Sequence, residues 1–412
     1  MSLFGWVQAQ IKEAYLPLAQ KYEKHLMEHL LEPENIVEAT LDITMDDGST
    51  NSYPARRSQH CDVRWPYKGG IRFHQDVSLD EVKSLSAWMS FKCAAVDIPL
   101  WWGKWGIIVD PKQLSQAELQ RLSRAYIDAI WQDIWPTKDV PAPDVNTNST
   151  IMWWMADQYA KNTGQREPGV ITGKPLTIWW SAGRGIATAL WGLYVLIRYL
   201  EAQWDSIKWK KIIIQWAGNA GLTFAKLAND KGALIIGISD SKWGIYNNKG
   251  LDISKIEELK NTKKSVIEYS DATQTTNEDI LDNECDILVP AALENQITKD
   301  NAANISANVI LELANGPTTS DADTILEDKD IAVLPDILAN AGWVTVSYFE
   351  QVQNNTNYYR SEAEVFEKLE KIMVDATDAV LDTANEHSTP LRDAAYIVAL
   401  GRILAAMQAR GW

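Results

Sequence analysis

Residues 212–221 read IIIQWAGNAG, and the fold turns on them. Three isoleucines and a glutamine make a short apolar strand. The small residues after it open a helix from Asn219. Trp216 stands where a tight strand-to-helix turn asks for glycine. With glycine there the segment becomes GAGNAG, the G-x-G-x-x-G pattern of a dinucleotide-binding turn. Asp240 closes the next strand, about 20 residues on, where an acidic side chain accepts the ribose hydroxyls of NAD. The same residues also suit an ordinary strand–turn–helix, and spacing alone does not choose between the two.

Outward from this segment the pattern is repetitive. Strands are expected over 233–239, 286–290, 309–313 and 331–334, with helices between them and a long helix from Gly183 towards Leu200. Strands alternating with helices predict a parallel, doubly wound sheet. Before residue 180 the chain reads as mixed α/β. Half-buried strands are expected over 36–45 and 52–63, and helices over 79–96 and 115–134, the latter opened by Ser115 with Glu118 three residues later. After Pro335 the chain reads as helical, over 341–353, 362–385 and 390–409. The expected fold is α/β, with two domains around a cleft. The first, residues 1–180 with returning helices 350–412, binds substrate and serves oligomerisation. The second, 181–349, is Rossmann-like and binds the dinucleotide.

Composition narrows the function classes. The chain has 412 residues and a formal net charge of −16, which argues against general nucleic-acid binding. No apolar run approaches the roughly 18 residues of a membrane span. The start lacks a basic segment followed by an apolar one, so no signal peptide is expected. Cys61, Cys93 and Cys285 are scattered, with no C-x-x-C pair, so neither a metal site nor a disulfide framework is expected; a reducing cytoplasm fits. One number is abnormal. There are 19 Trp beside 22 Gly, where ordinary usage gives about 29 Gly.

Three lysines stand in apolar or glycine-containing settings: Lys68 in PYKGGIRFH, Lys92 in WMSFKCAAVD and Lys104 in IPLWWGKWGIIVDP. The last segment reads as a loop. Each lysine alone suits a solvated surface. Together in a cleft they would bind a dicarboxylate and depress one another's pKa, leaving one neutral enough for acid–base work. Asp144, between prolines in VPAPDVNTN, suits either a turn or a helix cap.

These motifs, with GVITGKPLTIWWSAGRGIATALWG, SDSKWGIYN, DILVPAALENQIT, ELANGPTT and LPDILANAGWVTVSYFE, resemble the Glu/Leu/Phe/Val dehydrogenase family over nearly the whole chain, and within it the glutamate dehydrogenases. The resemblance implies reversible oxidative deamination of L-glutamate to 2-oxoglutarate and ammonium, with NAD or NADP as cofactor, no metal, and a homohexamer. It implies Lys104 as the catalytic lysine and Asp144 as the proton shuttle to the amino group. Lys92 would hold the α-carboxylate, and Lys68 and Ser347 the side-chain carboxylate. Thr188, Gly218, Asn219 and Gly221 would contact the cofactor, with Asp240 on its ribose and Asn315 and Asn340 beside the nicotinamide. Relatives acting on Leu, Phe or Val place apolar residues at the positions of Lys68 and Ser347. A non-catalytic relative that keeps the fold as a scaffold is the alternative of another class.

The chain departs from the resemblance at Trp65, Trp101, Trp102, Trp105, Trp135, Trp153, Trp179, Trp180, Trp191, Trp209, Trp216, Trp243 and Trp343, where the family usually has Gly. Trp88 and Trp154 stand where it carries Trp. One codon relation joins the two residues: UGA is Trp in one reading and Gly in some bacterial lineages. The expectation is that the natural protein has Gly at these positions. The alternative is that the tryptophans are real and the protein is a degenerate relative.

Overall fold

The computed structural model describes every residue except 1, 65, 176, 178–180, 182 and 184, and the backbone but not the side chain of Trp102. Trp65, Trp179 and Trp180 thus lie outside the described residues. The chain divides into two compact units. The first comprises residues 1–182, 344–365 and 396–412; the second comprises 183–343 and 366–395. Residues 366–395 therefore pack with the second unit, whereas the sequence reading returned all of 350–412 to the first.

The first unit begins with helices α1 (Leu3–Tyr15) and α2 (Lys24–His29). Its sheet holds β1 (Asn35–Thr44), β2 (Thr50–Gln59), β3 (Tyr67–Phe73), β4 (Trp101–Ile107) and β5 (Asp139–Pro143), in the order β1-β2-β4-β3-β5. β2 pairs antiparallel with both β1 and β4, whereas β3 pairs in parallel with both β4 and β5. The segment around Lys104, read as a loop from its glycine-like composition, is strand β4. Its backbone is spent on ladders to β2 and β3, and that pairing overrides the composition.

Alternation along the strands sorts side chains between two faces. Ile71 and Phe73 of β3 and Trp105 and Ile107 of β4 join a core with Leu122, Tyr126 and Ile130 of α4 (Gln116–Ile130) and Met152 and Met155 of α5 (Ser149–Thr163). Lys68, Gly70 and Arg72 occupy the other face of β3, and Lys104 that of β4. Helix α3 (Leu79–Ala95) opens with Ser78 accepting from the Glu81 N–H at 3.1 Å, and Ser86 within it meets Ser58 of β2.

The second unit contains α6 (Ala187–Ala202), β6 (Lys211–Gln215), α7 (Asn219–Asp230), β7 (Leu234–Ser239), β8 (Trp243–Tyr246), α8 (Ile253–Asn261), β9 (Thr273–Thr276), β10 (Ile287–Pro290), β11 (Val309–Leu311), α9 (Ser320–Glu327), β12 (Ala332–Leu334) and α10 (Asp336–Ala339). The strand order is β12-β11-β10-β6-β7-β8-β9. Five strands are parallel, and their apolar runs are buried on both faces. Strands β8 and β9, which the sequence reading passed over, enter by antiparallel pairing, β8 with both β7 and β9, so the sheet is mixed rather than wholly parallel. The chain runs from β6 to β7 on one side and to β10 on the other, which puts the reversal of strand order beside the end of β6. Helices α11 (Gly342–Thr356), α12 (Glu362–His387) and α13 (Leu391–Ala409) complete the chain.

At the end of α6, the Asp205 N–H donates to the Leu200 carbonyl at 2.9 Å and the Trp204 N–H to Glu201 at 3.0 Å. This is a helix end that wants a left-handed residue, and Trp204 takes it with φ +58° while its indole is 99% exposed. The side chain contributes no packing to offset the backbone strain. Trp204→Gly should therefore raise the unfolding free energy by about 1 kcal/mol, read as a higher urea midpoint with an unchanged m-value. An unchanged or lower midpoint would mean that this turn carries no strain.

Candidate active site

On the face of the first sheet opposite that core, Lys104 donates to the Asp144 carboxylate. Glycine makes this meeting geometrically feasible. A Cβ added at Gly70 would lie 2.6 Å from the Asp144 Cβ, so Asp144 sits directly over a bare α-carbon of β3. Its own N–H donates to the Thr147 hydroxyl at 2.8 Å, and that hydroxyl donates to the Ile71 carbonyl at 2.9 Å. Asp144 is thus a turn residue fastened to the strand it faces, and no helix cap.

Burial pushes the Lys104 ammonium below its ordinary pKa; Asp144 opposes this, and the Arg72 guanidinium adds to it. Burial raises Asp144, but Lys104 and Arg72 outweigh it and hold the carboxyl below its ordinary range. Arg72 is a cation pressing on Lys104, in addition to the parts expected of Lys68 and Lys92. Lys92 is buried near the end of α3.

Lys68 is fully buried. Its ammonium donates to the Thr172 hydroxyl at 2.6 Å and to the Val140 carbonyl at 3.3 Å, and Thr172 stands 2.9 Å from the Ser347 hydroxyl. Just past Thr172, the Gly173 N–H donates to both oxygens of buried Glu350, at 2.9 and 2.8 Å, and Lys174 donates to the same carboxylate at 3.2 Å. Ser347 and Glu350 are three residues apart on α11, so this ion pair fixes the segment that carries Thr172. Thr172, Glu350 and Arg72 were all inside quoted motifs and went unnoticed. Arg72 shares the period of two with Lys68 and Gly70, and that signal could have found it.

In the second unit the expected cofactor residues gather at the C-terminal ends of the parallel strands. Gly218 and Gly221 frame the start of α7, and a Cβ at Gly221 would lie 2.1 Å from the Trp216 carbonyl. Asn219 donates to the Gly185 carbonyl at 3.0 Å, tying α7 to the turn before α6, in whose first turn Thr188 stands. The Asn340 amide donates to the Ala314 carbonyl and to Asn315 Oδ1, both at 3.0 Å. Below that loop, Arg392 donates to both oxygens of buried Glu312, at 2.9 and 2.7 Å. Asp240 is largely spent within the protein. Its Oδ2 accepts from Ser265 at 2.8 Å and the Val266 N–H at 3.0 Å, while Oδ1 has only the Lys242 and Trp243 N–H groups at 3.3 Å. Capacity for a ribose hydroxyl remains on Oδ1.

The fingerprint fits a pyrophosphate at Gly218 and Gly221 but not at Trp216. Trp216 has φ +88°, and its indole lies where a Cβ at Gly218 would be 2.6 Å away. It therefore covers the bare α-carbon that a pyrophosphate approaches. Trp209 is also left-handed, with φ +70°. Trp101 and Trp105 are buried with indole N–H groups that have no hydrogen-bond partner among the described residues, each costing about 1–3 kcal/mol.

The family model for Glutamate/Leucine/Phenylalanine/Valine dehydrogenase matches residues 181–411, and the model for the dimerisation domain of the same dehydrogenases matches 33–161. The chain belongs to this family. It is 46% identical to the catabolic NAD-specific glutamate dehydrogenase RocG of Bacillus subtilis (strain 168), over 100% of this chain and 96% of that protein. It is 43% identical to the NAD-specific glutamate dehydrogenase of Staphylococcus aureus (strain COL), over 98% and 97%. The crystal structure of the Peptoniphilus asaccharolyticus glutamate dehydrogenase superposes with a TM-score of 0.91 at 37% identity, covering 100% of both chains. The hetero-hexameric glutamate dehydrogenase of Thermus thermophilus gives 0.91 at 31% identity, covering 100% of this chain and 97% of that one.

Because Asp144 favours the charged form of Lys104, Asp144→Asn should make Lys104 react faster with acetic anhydride at a given pH. Peptide mass spectrometry across a pH series reads the rate at this one lysine; a slower reaction than in the parent chain would contradict the pairing.

Proposed function

We propose that this family member catalyses the reversible oxidative deamination of L-glutamate to 2-oxoglutarate and ammonium, with NAD as the hydride acceptor. The observation that carries the reading is the pairing of buried Lys104 with half-buried Asp144 on the sheet face that also bears Lys68. A lysine held partly neutral can take a proton from water and from the carbinolamine at the α-carbon. Asp144, beside it, moves protons to and from the amino group. Lys92 holds the α-carboxylate. Lys68 and Ser347, joined through Thr172, hold the side-chain carboxylate. Such a polar chain suits a dicarboxylate, and an apolar amino acid would leave its charges unpaired. The names of the relatives at 46% and 43% identity support the same substrate and cofactor.

Gly218, Asn219 and Gly221 hold the pyrophosphate, with Thr188 nearby. Oδ1 of Asp240 accepts from the ribose and favours NAD over NADP, and Asn315 and Asn340 flank the nicotinamide. We place the protein in the cytoplasm as a homohexamer. Three scattered, buried cysteines suit a reducing compartment, and among the described residues no helix is long and apolar enough to cross a membrane. In the protein with glycine at position 216, Lys104→Ala should lower kcat by orders of magnitude while the Kd for NAD, measured by calorimetry, changes little. A variant that kept more than about a tenth of the parent kcat would remove Lys104 from the chemistry.

We further propose that the natural protein carries glycine at the thirteen family-glycine positions, and at position 204 too. Left-handed backbone at residues 204, 209 and 216 supports this, as do the unpartnered buried indoles of Trp101 and Trp105. Mass spectrometry of the protein from its native cells should find Gly-containing peptides at 101, 105, 204 and 216. Trp-containing peptides there would favour the degenerate, non-catalytic relative.

A further inference from the structure

Arg72 has a place in this site that the roles above leave unused. It leaves β3 on the same face as Lys68 and Gly70, with its side chain 24% exposed. One guanidinium nitrogen, Nη1, donates to Glu81 in the first turn of α3. Its Nε stands 3.5 Å from Asp144 Oδ2, is buried, and makes no hydrogen bond among the described residues. Asp144 is therefore faced by two cations, Lys104 from β4 within hydrogen-bonding reach and Arg72 from β3 just beyond it.

The arrangement answers a problem in the chemistry. Lys104 is the hydrogen-bond donor that compensates the Asp144 charge, and Lys104 has to give up its own charge to act as a base. A carboxylate left alone in a mostly closed site would take up a proton. Arginine stays protonated at every working pH. We infer that Arg72, clamped by Glu81, is a positioning residue that keeps Asp144 in place and anionic whether or not Lys104 is charged. This rests on reading Lys104 and Asp144 as the proton-handling pair. Glu81 holds the guanidinium at a distance, so Asp144 keeps its bond to Lys104. Among the other charged groups on these elements, Lys68 of β3 is turned to Thr172 and the Val140 carbonyl, and Lys92 lies three turns along α3 from Glu81.

The two partners of the clamp should act with opposite sign. Without the Arg72 charge, Lys104 loses a repulsion and Asp144 loses a stabilising cation, so both hold their protons to higher pH. Without the Glu81 charge, Lys104 loses an anion that favours its ammonium, so it releases its proton at lower pH. The test is the pH profile of kcat/KM for glutamate oxidation in the parent chain, Arg72→Gln, Arg72→Lys and Glu81→Gln. The rising limb should move to higher pH in Arg72→Gln, with kcat at neutral pH down roughly threefold to tenfold and KM for glutamate changed less. Arg72→Lys should restore the parent limb, and Glu81→Gln should move it to lower pH. Superimposable profiles, or equal losses in Arg72→Gln and Arg72→Lys, would overturn the inference. Should Arg72→Gln fail to fold by circular dichroism, the direction of the Glu81→Gln limb decides. If the parent chain does not oxidise glutamate, the functional reading fails separately. The clamp is then judged by the pH dependence of Lys104 acetylation in the same variants, with the same signs.

Discussion

The first unit depends on a close approach of β3 and β4 that only glycine permits. A Cβ at Gly69 would lie 1.3 Å from the Gly103 carbonyl oxygen, and one at Gly103 would lie 2.4 Å from Arg57 Nε. Arg57 in turn pairs with Asp139 at the start of β5, Nε to Oδ2 at 2.8 Å, and Gln59 donates to the same oxygen at 2.8 Å. The pair is fully buried. A buried ion pair contributes little net stability, but removing one partner leaves an uncompensated charge and costs several kcal/mol. Its effect here is positional. It fixes β2, β4 and β5 relative to one another, and those strands hold Lys104 and the segment leading to Asp144.

Two kinds of glycine follow from this. Gly69 lets backbones touch; Gly103 and Gly70 let side chains, Arg57 and Asp144, come down onto their strands. The tryptophans work against the same design. Trp105 is pressed against the Arg57 guanidinium, 5.0 Å from ring to carbon, and edge-on to Tyr126. It packs, yet its indole N–H finds no acceptor. In the second unit Trp216 does the reverse: its backbone N–H is satisfied by Ser239 at 3.0 Å, while its φ of +88° and its indole are the misfits.

Much of the fold was legible in the sequence because periodicity survives substitution. IIIQ before a small-residue turn marks β6 and α7 whatever stands at 216, and the alternation of 36–45 marks β1. What escaped was set by partners distant in sequence. β4 reads as a loop because its character comes from ladders to β2 and β3. Strands β8 and β9 have four residues each, and a strand that short leaves almost no pattern. In the site, lysines in apolar settings were visible one by one. Thr172 and Arg72 were not, since their meaning lies in what they face: a hydroxyl 104 residues from Lys68, and a carboxylate across a glycine. Trp204 escaped for another reason, because a helix-ending residue is recognised only once the hydrogen bonds of that end are in view.

The division of the chain has a consequence for synthesis. The first unit needs residues 344–365 and 396–412, and the second needs 366–395. Helices α12 and α13 each contribute to both. A ribosome delivering the chain from its N-terminus has the whole strand set of both sheets available by residue 334, but Glu312 still lacks Arg392 and Gly173 still lacks Glu350. Each unit must wait with a buried carboxylate or an unfilled backbone donor until the last sixth of the 412-residue chain is translated. The nascent protein is thus exposed to chaperones and to misassembly for longer than a chain whose domains close in sequence order.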